Sequence, residues 1–292
     1  MKKILVTGCN GQLGRAVNGI YAGNEDVTLF NTDFNIEGIK SVDITDIDAV
    51  LKLCREERFD SIINCAAYTA VDACEVNVDT AYRINAIGPR NLAIAARETG
   101  AKLMHISTDY VFAGDGNKPY TEFDQTGPKA MYGITKLKGE EFVKGFADRY
   151  FIIRTAWLYG DGKNFVKTML RLSEDHDEIT VVNDQIGSPT SASELARAVK
   201  YLLETENYGL FHGTCEGQCS WADFTKRIFE KAGKDTRVIP VTSEEYKILN
   251  PKSADRPKFS VLDNYMFRLT TGHTFKTWEE AFDEWFNTLK TV

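Results

Sequence analysis

Apolar residues in the first 155 positions gather into five short runs rich in β-branched and aromatic side chains, at 3–6, 27–31, 61–65, 103–107 and 151–154. Runs such as Ile62-Ile63 and Ile152-Ile153 are continuous rather than alternating, the pattern of strands covered on both faces. Between the runs, apolar positions recur with helical spacing over 46–57, 79–99 and 132–146. Strand and helix in alternation predict an α/β fold with a doubly wound parallel sheet, because right-handed crossovers set the helices on both faces. Past about residue 160 the rhythm loosens. Helices are predicted near 165–173, 193–203, 221–231 and 278–289, and a strand near 180–182. This smaller α/β lobe is expected to hold a substrate. No Pro/Gly/Ser-rich linker or internal repeat intervenes, so the expected parts, 1–160 and 161–292, pack together across a cleft with some interchange of chain.

Composition narrows the classes of partner. The 292 residues are 43% hydrophobic and 26% charged, ordinary values for a globular chain long enough to bury a large core. Forty-two acidic against 35 basic side chains give a net charge of −7, and no block of Lys or Arg stands out, which argues against nucleic-acid and anionic-membrane partners. The Met1-Lys2-Lys3 start meets Thr7-Gly8 too soon to be read as a secretory leader, and no run approaches a membrane span. The six cysteines show no two-residue redox or zinc spacing; they read as buried, reduced thiols of a cytoplasmic protein.

The first run feeds straight into Gly8-x-x-Gly11-x-x-Gly14, and Arg15-Ala16-Val17 begins a helical pattern. A strand, a glycine loop and a helix amino terminus make an anion cradle: glycines allow the tight turn and the close approach of backbone, and the helix presents free N–H groups. The loop Gly8, Gly11, Gln12, Leu13, Gly14 and Arg15 is therefore predicted to bind the pyrophosphate of a dinucleotide in a Rossmann-type sheet. Asp33, after the second strand, can accept from the adenosine ribose. Its carboxylate disfavours a 2′-phosphate whereas Arg15 would attract one, so NADH and NADPH both stay open. Asp43 and Ile44 are placed to frame the adenine, and the small residues after Asn64, Ala66 and Ala67 above all, to let the cofactor come close.

Tyr132 and Lys136 lie four apart on a predicted helix and share one face. A phenol near its reference pKa of about 10 is a reluctant acid at neutral pH, and a neighbouring ammonium is expected to lower that value into a useful range. Thr108, at the carboxyl end of a parallel strand, can donate to a carbonyl oxygen as charge develops there. The three predict hydride transfer to a carbonyl carbon, with Tyr132 protonating the oxygen, Thr108 polarising it, and Lys136 tuning Tyr132 and holding the ribose.

These residues resemble the extended short-chain dehydrogenase/reductases and, within them, the dTDP-4-dehydrorhamnose reductase family. The similarity runs nearly the whole chain: Val6-Thr7-Gly8 with Gly11-Gln12-Leu13-Gly14-Arg15, Asp43-Ile44-Thr45-Asp46, Asn64 to Asp72, Asn85-Ala86, Ile106 to Phe112, Tyr132-Gly133 with Lys136, Arg154 to Gly160, Asp184-Gln185 through Thr190, and Arg256-Pro257 with Ser260 and Leu262. It implies reduction of the 4-keto group of a dTDP-4-dehydro-L-rhamnose by NADPH or NADH. It also implies a catalytic set of Thr108, Tyr132 and Lys136, cofactor contacts from Ala66, Ala67 and Thr69, and sugar contacts from Thr108, Asp109 and Trp157. Trp157 would pack on the pyranose and Arg256 would meet the substrate pyrophosphate. A homodimer fits the family, in some members linked by Mg²⁺ through acidic side chains; residues 287–292, Asn-Thr-Leu-Lys-Thr-Val, carry no carboxylate cluster, so the sequence does not support the metal. A related epimerase and a non-catalytic regulatory subunit of the same fold are the competing expectations. A 4,6-dehydratase is disfavoured because Thr108-Asp109 is followed by Tyr110 and not by a second carboxylate.

Overall fold

The computed structural model describes residues 1–251 and 253–289; Lys290, Thr291 and Val292, and with them part of the terminal segment considered for a metal, lie outside the described residues. Six parallel strands occupy the first half: β1 (Lys2–Thr7), β2 (Val27–Asp33), β3 (Lys40–Ser41), β4 (Ser61–Asn64), β5 (Lys102–Thr108) and β6 (Tyr150–Thr155). A seventh, Gly209–His212, joins from the second half beside β6, and the spatial order is β3-β2-β1-β4-β5-β6 and then that strand, all parallel. Strand order reverses between β1 and β4, the point at which such sheets hold ligands beyond their carboxyl ends.

The continuous apolar runs are explained by cover on both faces. On one side Leu13, Val17 and Tyr21 of helix Gln12–Tyr21 pack with Leu195, Val199 and Leu202 of helix Ala192–Leu203. On the other, helices Ile47–Glu57 and Gly88–Thr99 close over Leu5, Ile62, Leu103 and Ile152. The Asp46 side chain starts the first of these by accepting from the Asp48 and Ala49 amides. A third apolar cluster, around Tyr159, Phe224 and Phe282, belongs to the second half. It is built by helices Phe165–Asp175, Trp221–Ala232 and Trp278–Leu289 over the parallel pair Glu178–Val182 and Arg237–Val241. Among the described residues no helix is long and apolar enough to cross a membrane. All six cysteines are free thiols, five buried and Cys65 partly so.

One predicted element differs in kind. The helix expected over 79–99 is α-helical at Val78–Tyr82, widens to a π-helical turn at Arg83–Ile87, and resumes as Gly88–Thr99. Pro89 lacks the N–H that would pair with Asn85 four residues earlier, and the Gly88 amide reaches back to the Arg83 carbonyl instead. The Asn85 carbonyl lies against Gly139 of helix Met131–Phe146, where a Cβ would come within 2.3 Å of the oxygen. A two-residue strand that no apolar run announced, Lys40–Ser41, lies just ahead of Asp43 and Ile44.

Candidate active site

The glycine loop is built by close contact. Gly8 sits at φ +65, and a Cβ there would fall 2.6 Å from the Ala66 nitrogen. At Gly14 a Cβ would fall 2.4 Å from the Gly8 carbonyl oxygen, so this glycine serves helix–loop packing. Gly11 is the N-cap of the following helix in extended conformation, without a side-chain cap, and the first turn carries no acidic residue. Backbone N–H groups and the positive end of the helix dipole are thus left for an anion. Asp33 braces the loop, its two oxygens accepting from the Asn10 and Phe34 amides at 3.0 and 2.8 Å. Arg15 is exposed and donates to the Asn10 carbonyl and side-chain oxygens.

Two cavities meet over this loop. The first, about 440 Å³, is lined by Gly8, Gly11, Asp33, Asp43, Ile44, Ala66 and Ala67, together with Thr80 and Arg83. The second, about 560 Å³, is lined by Gln12, Leu13, Thr69, Thr108, Asp109, Tyr132, Lys136 and Trp157, together with Asp161, Lys163 and Trp221. Gly11, Cys65 and Ala67 border both, so a dinucleotide with its pyrophosphate on the loop can reach into each. The cradle, the uncapped helix start and the paired cavities fit such a cofactor.

Tyr132 and Lys136 stand one turn apart on helix Met131–Phe146 and face the carboxyl end of β5. Gly133 lets the helix approach, since a Cβ there would meet the Tyr110 carbonyl oxygen at 2.1 Å. A polar chain ties the loop after β4 to the same helix. Asn85 accepts from the Tyr68 amide at 2.8 Å and donates to the Tyr68 carbonyl and the Thr135 hydroxyl, and Thr135 donates to the Tyr132 carbonyl. One turn beyond Lys136, the fully buried Glu140 takes both arms of the Arg154 guanidinium at 2.8 Å and the Ser107 hydroxyl at 2.6 Å. Helix Met131–Phe146, β5 and β6 are locked together at that point.

The electrostatics depart from the expectation that Lys136 lowers the pKa of Tyr132. Burial pushes the Tyr132 phenol well above its ordinary value, against a counter-pull from the Thr108 side chain. Lys136 donates to the Ile106 carbonyl at 2.5 Å, and burial brings its ammonium down to about 8, with Glu140 opposing. Thr108 also differs from expectation: its hydroxyl donates to Asp109 Oδ1 at 2.9 Å and accepts from the Tyr110 amide. Burial raises the Asp109 carboxyl to about 6.

Trp157 adopts φ +48, a conformation bulky side chains seldom take. Trp221 stacks on it with 3.5 Å between ring centroids, and Gly187 is close enough that a Cβ would touch the indole. One face expected to meet a sugar is therefore taken by a second indole, and the pair forms an apolar wall. Arg256 lies outside this cavity. It pairs with Asp72 at 3.2 Å and lines an adjoining space of about 370 Å³ that shares Tyr110 with the larger cavity around Tyr132. Gly14 and Arg15 line neither of the two cofactor-sized cavities. Asp161, Lys163 and Trp221 escaped the sequence reading. Trp221 gave only a helical apolar signal, and the loop at 161–163 gave none. Among the described residues no group of three or more His, Cys, Asp or Glu is placed to hold a metal ion.

With this geometry in hand, comparison with known proteins is specific. Residues 1–291 match the family described as the RmlD substrate binding domain. A solved dTDP-4-dehydrorhamnose reductase from Clostridium acetobutylicum is 51% identical, with a TM-score of 0.94 and 99% of each chain covered. The dTDP-4-dehydrorhamnose reductase of Bacillus anthracis, solved in complex with NADP, is 43% identical with a TM-score of 0.92, covering 99% of this chain and 100% of that one. The spore coat polysaccharide biosynthesis protein SpsK of Bacillus subtilis is 41% identical over 288 residues, 98% of this chain and 97% of that protein.

Proposed function

The chain belongs to the RmlD substrate binding domain family, and on that footing we propose that it is a dTDP-4-dehydrorhamnose reductase with Thr108, Tyr132 and Lys136 at its catalytic centre. It reduces the 4-keto group of dTDP-4-dehydro-β-L-rhamnose to the hydroxyl of dTDP-β-L-rhamnose. NADPH or NADH, when bound, supplies the hydride. The observation that carries the reading is the placement of the Tyr132 phenol, the Lys136 ammonium and the Thr108 hydroxyl around one cavity that continues into the glycine loop.

In this proposal Gly8 and Gly11 admit the pyrophosphate, Asp33 meets the adenosine ribose, and Asp43, Ile44 and Ala66 border the adenine side. Gln12, Leu13, Ala67 and Thr69 flank the nicotinamide side. Tyr132 delivers its proton to the ketone oxygen, and burial of the phenol keeps that proton in place until a basic oxygen arrives. Lys136, held by the Ile106 carbonyl, brings a cation to the ribose hydroxyls. The Trp157–Trp221 wall excludes water from the sugar side. Arg256 reaches the substrate pyrophosphate from the adjoining space once its exposed pairing with Asp72 is exchanged; such a pairing contributes little and yields readily. The part of the chain after residue 160 is proposed as the substrate-holding half. All the groups named come from one chain. A cytoplasmic setting is part of the proposal, supported by six free thiols.

The test is incubation of the purified protein with dTDP-4-dehydrorhamnose and NADPH or NADH, following reduced-nicotinamide absorbance. One equivalent of cofactor consumed per product is expected, and the Tyr132→Phe variant should lose about 10² to 10⁴-fold in turnover. Interconversion of sugars without net cofactor consumption would mark an epimerase. A Tyr132→Phe enzyme at wild-type rate would remove the proposed acid.

A further inference from the structure

Two indoles border the larger cavity, and they come from different parts of the chain. Trp157 follows β6 with its backbone at φ +48, and Trp221 opens helix Trp221–Ala232. A strained conformation of this kind persists only where its surroundings hold it, and here the ring is held from both sides. Trp221 stacks on one face, with 3.5 Å between centroids and 6° between planes. A Cβ on Gly187 would lie 2.4 Å from the indole Cε2, with Nε1 and Cζ2 next at 2.6 and 2.7 Å. An approach within the ring plane would meet those two outer atoms before the fusion carbon. Gly187 therefore lies over the ring, on the face that Trp221 leaves.

The two jaws are built as one piece. Gly187 pairs with Cys219 and Ile186 with Ser220 in a short antiparallel ladder, so the glycine on one strand is fixed against the tryptophan that directly follows the other. The capping box of Ser220 and Asp223 sets the helical turn that carries Trp221, and Phe165 packs against its ring with 4.4 Å between centroids. The residue they grip stands close to the chemistry. Thr155, two positions before Trp157, pairs with Thr108 at the carboxyl end of β5, and the Thr190 amide donates to the Trp157 carbonyl at 3.2 Å. With both faces covered, what Trp157 turns toward the cavity is the rim of its ring. An indole face is electron-rich and its rim carries the opposite sign, so a rim meets sugar oxygens where a face would meet C–H groups.

We propose that Trp221 is a positioning residue for the sugar, gripping Trp157 against Gly187 so that the substrate meets the rim of the indole and not its face. On the reductase reading above, Trp221 acts through Trp157: it fixes the wall against which the sugar seats and leaves coenzyme affinity alone. Without the grip, Trp157 relaxes to an ordinary backbone conformation and its ring moves.

The experiment uses the full chain as wild type, Trp221→Phe, Trp221→Leu, Gly187→Ala, Trp157→Leu and the double variant of Trp157→Leu with Trp221→Leu. Two stacked indoles couple their transitions, so wild type should show an exciton couplet in far-ultraviolet circular dichroism that is missing from Trp221→Leu and from Trp157→Leu. Trp221→Leu should raise KM for dTDP-4-dehydrorhamnose about tenfold, the bias against a left-handed backbone that is then released. Its kcat should fall less, and its dissociation constant for NADH or NADPH, read by fluorescence titration, should stay at the wild-type value. Trp221→Phe still stacks and should recover most of the loss in KM. Adding Trp221→Leu to Trp157→Leu should change KM no further, as expected of a residue that acts only through the other. Gly187→Ala pushes on the opposite face with both indoles in place; it should weaken the couplet and raise KM, and it decides the matter if Trp221→Leu does not fold. A wild type without the couplet, a Trp221→Leu or Gly187→Ala chain with wild-type KM, or the same loss from Trp221→Leu with and without Trp157 would each overturn the clamp. Coenzyme affinity falling as far as KM rises would overturn it too, because the change would then be a general loosening. A wild type that shows the couplet but consumes no reduced nicotinamide would overturn the reductase reading instead.

Discussion

A methyl group at position 8 would land 2.6 Å from the Ala66 nitrogen, on a backbone already at φ +65. Left-handed geometry costs a non-glycine residue about 1–2 kcal/mol, and the collision adds to it by pushing β1 and the loop after β4 apart. Gly8→Ala should therefore weaken dinucleotide affinity by at least about tenfold and lower Tm, read by fluorescence titration and thermal unfolding. Gly19→Ala, on the helix that follows the loop, meets nothing within 4 Å and serves as the control. The glycine loop and the Tyr132/Lys136 pair were legible in the sequence because their chemistry depends on local spacing, three residues apart in one case and four in the other. The state of Thr108 was not. Whether a hydroxyl donates to a ligand or to the adjacent carboxylate depends on the turn Asp109–Val111, which no periodicity reports. Trp221 was equally hidden, since its stacking on Trp157 joins positions 64 apart in sequence by packing alone.

Helices and strands carry their own consequences. Glu140 on helix Met131–Phe146 and Arg154 on β6 are 0% and 2% exposed, and the pair is doubly hydrogen-bonded. Arg154 holds the Glu140 carboxylate below its ordinary value in spite of burial. Removing one partner strands the other charge, so Arg154→Met should cost about 3–5 kcal/mol in urea unfolding, and Arg154→Met with Glu140→Leu should recover much of that loss. Helix Trp221–Ala232 opens on a capping box in which the Ser220 hydroxyl and the Asp223 carboxylate cap one another's backbone. Ser220→Ala is expected to cost about 1 kcal/mol and, by loosening the start of that helix, to raise KM for the sugar nucleotide more than it lowers kcat. Elements with a strong period were foreseen to within a few residues. The two-residue strands and the helix Ser243–Leu249 were not, being too short for a period to declare itself. The π-helical turn could have been suspected from Pro89 alone, yet its placement follows from the tertiary contact with Gly139.

Across the whole molecule, titration of two buried histidines, His105 and His212, should weigh on acid stability, since burial lowers the pKa of both. His212 is fully buried at the end of the seventh strand, its ring bonded to the Tyr120 and Asp263 carbonyls, and burial holds its pKa down to about 3. An unfolded histidine titrates near 6.5. Between those values the unfolded chain binds the extra proton, so stability is full above about pH 6.5 and declines as pH falls toward 3, by on the order of a few kcal/mol. Urea unfolding from pH 7 to pH 4 measures the slope, and a heteronuclear titration of His212 should find the ring neutral through that range. The parallel sheet was legible in the strand–helix alternation of the first 155 residues. That the sheet takes its last strand from residues 209–212 was not, because pairing to β6 is a long-range choice with no local mark.

That returning strand, with helix Ala192–Leu203 laid on the glycine-loop helix, constrains how the enzyme can be remodelled. A fragment ending at residue 160 would bare Leu13, Val17 and Tyr21 to water, and is expected to aggregate when expressed alone. A chimaera that borrows everything after residue 160 from a cousin with another sugar preference would import the flooring beneath its own coenzyme. Retargeting such a scaffold is therefore better attempted by exchanging the rim, Asp161, Lys163 and Trp221, than by transplanting a half.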